Sequence, residues 1–235
     1  MSDQILKPGL TSISVIVGID IGHKVIKISK ENGAIGCTAL ICRGTVTNKW
    51  LELLDLNEDR RELIFILCEN HVARCILEAL NRKLKFEKPN HGIAFSTEIA
   101  EVRGMHSLKD ALEEAKVNYR MGEDLDLCKP EKEGEKMYHS IYVVVDKGKA
   151  NDVVSIAKKA GARGGTIFNA RGSGIHETSK LFSMEVEPEK EVVLILTEAK
   201  LTDAVAGAIV DGMELEKPGN GVLYIQNVSM TYGIY

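Results

Sequence analysis

The feature that most constrains this fold is an internal repeat. Gly33, Ala34, Gly36, Thr38, Arg43 and Gly44 recur in order as Gly161, Ala162, Gly164, Thr166, Arg171 and Gly172, 128 positions later (Arg43 to Arg171). Glu69, Ala79, Glu87, Lys88, Pro89 and Gly92 recur as Glu198, Ala208, Glu216, Lys217, Pro218 and Gly221, 129 positions later (Lys88 to Lys217). One inserted residue between the two series accounts for the change of offset. A repeat of this length fixes the architecture that local patterns leave open, because both copies must satisfy the same element order.

That order is clearest in the second copy. Residues 141–145 form a short β-rich run, and Val153, Ile156, Ala157 and Ala160 then recur at helical spacing before Gly161, read as a C-cap. Residues 166–170 form a second strand. Residues 192–196 are wholly apolar and bounded by charge, as in a central strand. Leu201, Val205, Ala208 and Ile209 line one helix face, as do Val72, Ile76, Ala79 and Leu80 in the first copy. Residues 222–225 supply a last strand. The order βαββαβ predicts an α+β chain of two ferredoxin-like domains in tandem, each a four-stranded antiparallel sheet with two helices on one face. The boundaries expected are 11–102, a helical and flexible linker at 103–136, and 137–235. In the linker, Ser107 to Asp110 reads as a capping box, and 122–136 is polar and acidic.

Charge and composition then exclude several functions. Thirty basic against 34 acidic side chains give a net charge of -4, against the net positive surface of a nucleic-acid binder. The longest dense apolar run, Leu63 to Cys68, is far shorter than the roughly 18 residues that cross a bilayer. With no signal-peptide core at the start, the expectation is a cytoplasmic chain without membrane insertion. The five cysteines form no Cys-x-x-Cys pair and suit a reducing compartment; Cys68 and Cys75 fall on apolar faces and read as small core residues. Six scattered histidines offer no ligand spacing, so no metal is expected.

Candidate chemistry concentrates at glycines. Gly219-Asn220-Gly221, after Lys217-Pro218, either presents backbone N–H groups to an anion or only makes a tight turn into the last strand. Arg171-Gly172-Ser173-Gly174 follows a strand, where Arg171 can grip a phosphate or carboxylate or pair with a surface Glu. Neither segment is a P-loop or a dinucleotide fingerprint. His176 beside Glu177 reads as solvated surface, and Ser173 and Ser179 have no histidine partner, so no catalytic residue is assigned. Trp50, in the first copy's corresponding loop, reads equally as a partner anchor or as packed on its own domain.

In their order, the segments Gly161 to Thr166, Arg171 to Gly174, Glu191 to Leu196 and Lys217 to Tyr224 resemble the PII family of trimeric nitrogen-regulatory signal proteins. The first copy resembles a diverged member that keeps Arg43-Gly44 and Lys88-Pro89-Asn90-His91-Gly92. The resemblance implies a non-catalytic regulator that closes a homotrimer and binds an effector, ATP, ADP or AMP, between domains. Thr166, Arg171, Gly172, Gly174, Gly219, Asn220 and Gly221 would then contact the ligand. The loop from Ile175 to Lys190, with His176, Glu177, Thr178, Lys180 and Phe182, would dock on a protein partner. Ile175 and His176 stand where the family places Arg-Gln, which argues against magnesium-dependent 2-oxoglutarate binding. Val222 replaces the phosphate-loop lysine, and the first copy is expected to be mainly structural. The alternatives are a ligand-free scaffold and a small phosphatase-like enzyme that holds phosphate through Arg171.

Overall fold

The computed structural model describes residues 9–45, 59–100, 137–171, 179–181, 184–186 and 188–234. By contacts the chain divides into two compact units. One comprises Met1–Leu40, Arg61–Glu135 and Val228–Tyr235, and the other Ile41–Arg60 and Lys136–Asn227.

In the first unit, β1 (Leu10–Gly18), α1 (Gly22–Glu31), β2 (Gly36–Gly44, as far as Leu40), β3 (Asp59–Glu69), α2 (Asn70–Leu84) and β4 (Ile93–Ile99) follow the βαββαβ order. The sheet runs β2-β3-β1-β4, with β1 antiparallel to both β3 (Ile13 opposite Ile66) and β4 (Val15 opposite Ala94). Alternate residues Ile13, Val15 and Val17 of β1 and Ile64, Ile66 and Cys68 of β3 point to one face, as the period of two requires. Val25 and Ile28 of α1 and Val72, Ile76 and Leu80 of α2 close on that face.

The second unit repeats the plan with β5 (Tyr138–Asp146), α3 (Ala150–Lys159), β6 (Thr166–Arg171), β9 (Glu189–Glu198), α4 (Ala199–Gly212) and β10 (Val222–Val228). Its sheet runs β10-β5-β9-β6, so β9 lies between two strands (Val193 opposite both Val143 and Ile167), as its apolar run predicts. In both units the strand order by position is 4-1-3-2, the ferredoxin-like arrangement. Two short strands, β7 (Ser179–Leu181) and β8 (Met184–Val186), pair as a hairpin inside the stretch read as loop. On α4 the buried positions are Thr202, Val205, Ala206 and Ile209; Ala208 is half-buried, because the inward stripe is centred one residue earlier.

Residues at equivalent places in the repeat share unusual backbone conformations. Apart from Gly233 (79°), positive φ among the described residues occurs in pairs: Asp20 (71°) and Gly148 (95°), Gly33 (93°) and Gly161 (106°), Lys85 (57°) and Glu214 (50°), Asn90 (65°) and Gly219 (88°), and Gly92 (122°) and Gly221 (134°). Gly161 follows the C-cap residue Ala160 rather than being the cap itself. Non-glycine residues with positive φ are uncommon, so their recurrence at offsets of 128 or 129 is strong evidence that the two copies fold alike.

Two short segments belong to the unit that sequence order does not suggest. The end of β2 from Ile41 is part of the second unit, where Arg43 lies opposite Ile167 and Gly44 opposite Thr166 on the outer edge of β6. At the other terminus, β11 (Met230–Tyr232) is part of the first unit, pairs with β4, and lays Met230 and Tyr232 against its core.

Cys68 is fully buried, as expected, and burial pushes its thiol up to about 12, with Cys37 and Glu69 adding to the shift. Cys75 is buried too, but it is disulfide-bonded, which corrects its reading as a simple core thiol. Among the described residues Cys37, Cys42 and Cys68 are free thiols. The capping box at 107–110, the linker and Trp50 lie outside the described residues.

Candidate anion site

One end of the second unit's sheet collects the ends of β5 and β6 and the starts of β9 and β10, because neighbouring strands run antiparallel. The register sets Asp146 opposite Lys190 and Arg171 opposite Glu189. A cavity of about 340 Å³ opens there, lined by Lys147, Asn169, Ala170, Arg171, Glu189 and Lys190. Three cations of the cavity thus stand against Glu189 and the adjoining Asp146.

Ion pairs hold part of this charge in place. Lys147 Nζ donates to Glu189 Oε2 at 2.6 Å, and Lys190 Nζ to Asp146 Oδ1 at 2.7 Å, with Lys149 3.5 Å from Asp146 Oδ2. The Lys190 side chain is only 10% exposed, a burial that an ammonium tolerates only with partners. Lys147, through its hydrogen bond and its charge, holds Glu189 below the usual glutamate range, and Arg171 adds to the effect. The hydrogen bond from Lys190 is the main cause holding the Asp146 carboxyl below its ordinary value, with the charges of Lys190 and Lys149 adding. A depressed carboxyl contributes stability that is fully present above the unfolded value of about 3.9 and is lost as pH falls through the lower folded value. Lys190→Met is therefore expected to raise the Asp146 titration midpoint, followed by carboxyl-carbon NMR, towards the unfolded value. An unmoved midpoint would remove the pair. The accompanying stability change is under about 1 kcal/mol, because the Asp146 side chain is 42% exposed.

Beside the cavity sits a buried carboxylate. Glu191 Oε2 accepts the N–H groups of Gly148 (2.9 Å) and Ala150 (3.0 Å) at the start of α3, and Oε1 accepts Arg43 Nη2 at 3.3 Å. The N-cap residue Lys149 makes no side-chain cap, so the strand supplies it. Glu62, at the equivalent place in β3, accepts the Gly22 N–H of α1 at 2.7 Å.

The turn into β10 occupies the same end of the sheet. A side chain at Gly221 would meet Val144 and Val145 near the end of β5. The Asn220 amide is occupied with Glu214 O (3.0 Å) and Met213 O (3.4 Å), and Lys217 pairs with Glu214 at 2.6 Å. In the first unit His91 Nδ1 lies 2.8 Å from Leu84 O and does the same work; a carbonyl only accepts, so Nδ1 carries the proton. The side chains of these turns hold them to the preceding helix, and the Asn220 N–H closes on Lys217 O at 3.2 Å, as the His91 N–H does on Lys88 O at 3.3 Å.

Of the residues expected to bind ligand, Arg171, Gly219, Asn220 and Gly221 therefore come to one end of the sheet. Thr166 does not join them: it begins β6 at the opposite end, buried between Gly44 and Leu194, five residues or about 16 Å of strand away. Gly172, Gly174, Ile175, His176, Glu177, Thr178 and Phe182 lie outside the described residues, and Lys180 stands in β7 opposite Glu185. The reading from sequence missed Lys147 and Lys190. Their signal was a Lys-Gly-Lys turn closing one strand and a lysine opening the next, neither distinctive alone. Among the described residues, no group of three or more His, Cys, Asp or Glu gathers as a metal site.

Residues 138–235 match the family model for nitrogen regulatory protein P-II. That match spans the βαββαβ order of the second unit. Proteins of this family are non-catalytic regulators, so the phosphatase reading gains nothing from the match. Solved structures similar to the chain include B. subtilis GlnK, 16% identical over 40% of this chain and 86% of that one, with a TM-score of 0.31. The GlnK–ATP complex from B. subtilis is 16% identical over 39% and 81%, with a TM-score of 0.32. Arabidopsis thaliana PII bound to citrate is 21% identical over 42% and 81%, with a TM-score of 0.31. No curated protein matches the chain.

Proposed function

We propose that this chain is a non-catalytic signal-transduction protein of nitrogen metabolism, a duplicated pair of P-II-like domains at 11–102 and 137–235 joined by 103–136. Its effector is an adenine nucleotide (ATP, ADP or AMP) or another anionic metabolite, held at the strand ends of the second unit. The observation that carries this reading is the convergence of Lys147, Arg171 and Lys190 on one cavity, at the end of the sheet where Gly219 to Gly221 turn, within the residues that match the P-II family. Cations gathered at one place select phosphate or carboxylate. Occupancy would bias the loop after β6, because Arg171 ends that strand, and the loop would carry the state to a protein target. The protein works in the cytoplasm as a homotrimer, and magnesium-dependent 2-oxoglutarate is not its ligand. No helix among the described residues is long and apolar enough to cross a membrane.

Calorimetric titration with ATP, ADP and AMP, with and without magnesium and 2-oxoglutarate, tests the site. A Kd in the micromolar range for at least one nucleotide is expected. Silence across the set would sink the nucleotide reading and favour the ligand-free scaffold. A solution mass far from three times 25.8 kDa would sink the trimer.

A further inference from the structure

We propose that Arg43, which lies outside the matched P-II residues, is a positioning residue of the anion cavity, acting through Glu191. The proposal rests on the anion reading above. The observations lie within the second unit, to which Ile41–Arg60 belong. The outer edge of β6 is taken by the end of β2, and Thr45 locks that end. Its N–H donates to Gly165 O at 3.0 Å, its Oγ1 accepts the Gly165 N–H at 2.7 Å, and Lys158 Nζ donates to Thr45 O at 2.6 Å. Arg43 is thereby held opposite Ile167, from where its guanidinium reaches Glu191.

Glu191 ties this clamp to the cavity. Its side chain is 8% exposed, it directly follows Lys190, and it lies opposite Asn169, so both its chain neighbour and its cross-strand neighbour line the cavity. The two N–H groups at the start of α3 hold one carboxylate oxygen, and Arg43 supplies the cation for the other. Without that cation a buried carboxylate held only by two backbone N–H groups would stand beside a site meant for an anion. The other charged groups on the surrounding elements include Asp146, Lys147, Lys149, Asp152, Lys158, Arg171, Glu189 and Lys190. Lys147 and Lys190 already have carboxylate partners, so they do not replace Arg43.

The test uses the full chain with ATP as the probe. Arg43→Met, close in length but neutral, is expected to weaken ATP binding about five- to tenfold, while Arg43→Lys, which keeps the charge, stays within about twofold of the parent. Equal affinity in all three proteins overturns the proposal, and so does an equal loss in both variants. Backbone amide shifts separate this from the anion reading. If the parent binds no ATP, the anion reading fails by itself. Amide shifts at Asn169, Arg171, Glu189 and Lys190 that move in Arg43→Met and return in Arg43→Lys then still establish the clamp, and shifts that stay in place overturn it.

Discussion

Gly221→Ala will destabilise the second unit by about 2 to 4 kcal/mol, and Gly92→Ala will do the same to the first. Both positions have strongly positive φ (134° and 122°), where a side chain is strained whatever the space. Space is also lacking. A Cβ at Gly92 would stand 2.5 Å from the Ile16 carbonyl oxygen, and one at Gly221 would come closer still to the carbonyl of Val144, the equivalent residue in the repeat. A backbone oxygen within a sheet cannot swing aside as the end of a long side chain can. For units of about 100 residues, such losses lower the melting temperature by roughly 10 °C or more. Gly207→Ala is the control: it lies in α4 with nothing within 4 Å of the added atom, and should stabilise by up to about 1 kcal/mol. Calorimetric melting of the three variants decides the matter, and an unchanged transition in Gly221→Ala would mean that the turn is drawn wrongly. Loss of ligand binding on replacing Gly221 therefore reports damage to the fold before it reports a phosphate contact, and a sound test of the site has to use another residue.

How much of this was legible in the sequence follows from the range over which each signal acts. Strands and helices with a clear period were readable, because one buried face imposes its spacing on local sequence: Val72, Ile76, Ala79 and Leu80 are all buried. The 4-1-3-2 order followed from βαββαβ. Positive φ was readable at Gly161 and Gly221 and invisible at Asp20, Lys85 and Glu214, whose side chains give no hint of it. Helix starts carried no signal for a related reason. Ile21 and Lys149 are poor N-caps, and the missing acceptors come from Glu62 and Glu191, about 40 residues further along. The repeat does place those two glutamates 129 positions apart, a coincidence that could have marked them. Segment exchange was the least legible feature. Residues 41–45 and 230–232 satisfy their backbone hydrogen bonds on the edges of β6 and β4, and an edge accepts any extended segment of suitable reach, so no residue pattern announces the choice. The cavity shares this difficulty, because Lys147, Arg171 and Lys190 come from three strand ends that only the register brings together.

Arg171→Glu is the replacement that should abolish the site while sparing the fold. The balance at the strand ends, three cations against Asp146 and Glu189, becomes two against three, and the new carboxylate lies opposite Glu189 in the register. A charge-assisted contact contributes about 1.5 to 3 kcal/mol, and replacing it with repulsion should weaken ATP binding by roughly 100-fold. Stability should barely change, because Arg171 ends an exposed strand terminus and the Lys147–Glu189 pair remains. Added salt should weaken the parent's binding more than the variant's, since screening acts on the attraction that the variant has lost. Lys200→Glu serves as the matched charge reversal: Lys200 pairs with Glu198 at the opposite end of β9, and its loss should leave ATP affinity within about twofold. Equal affinity in Arg171→Glu and the parent would show that the nucleotide is held elsewhere, whereas equal losses in both reversals would reduce the effect to net charge. Only a loss confined to Arg171 places the anion at the ends of β5, β6 and β9, because those strands share no other exposed arginine at that edge among the described residues.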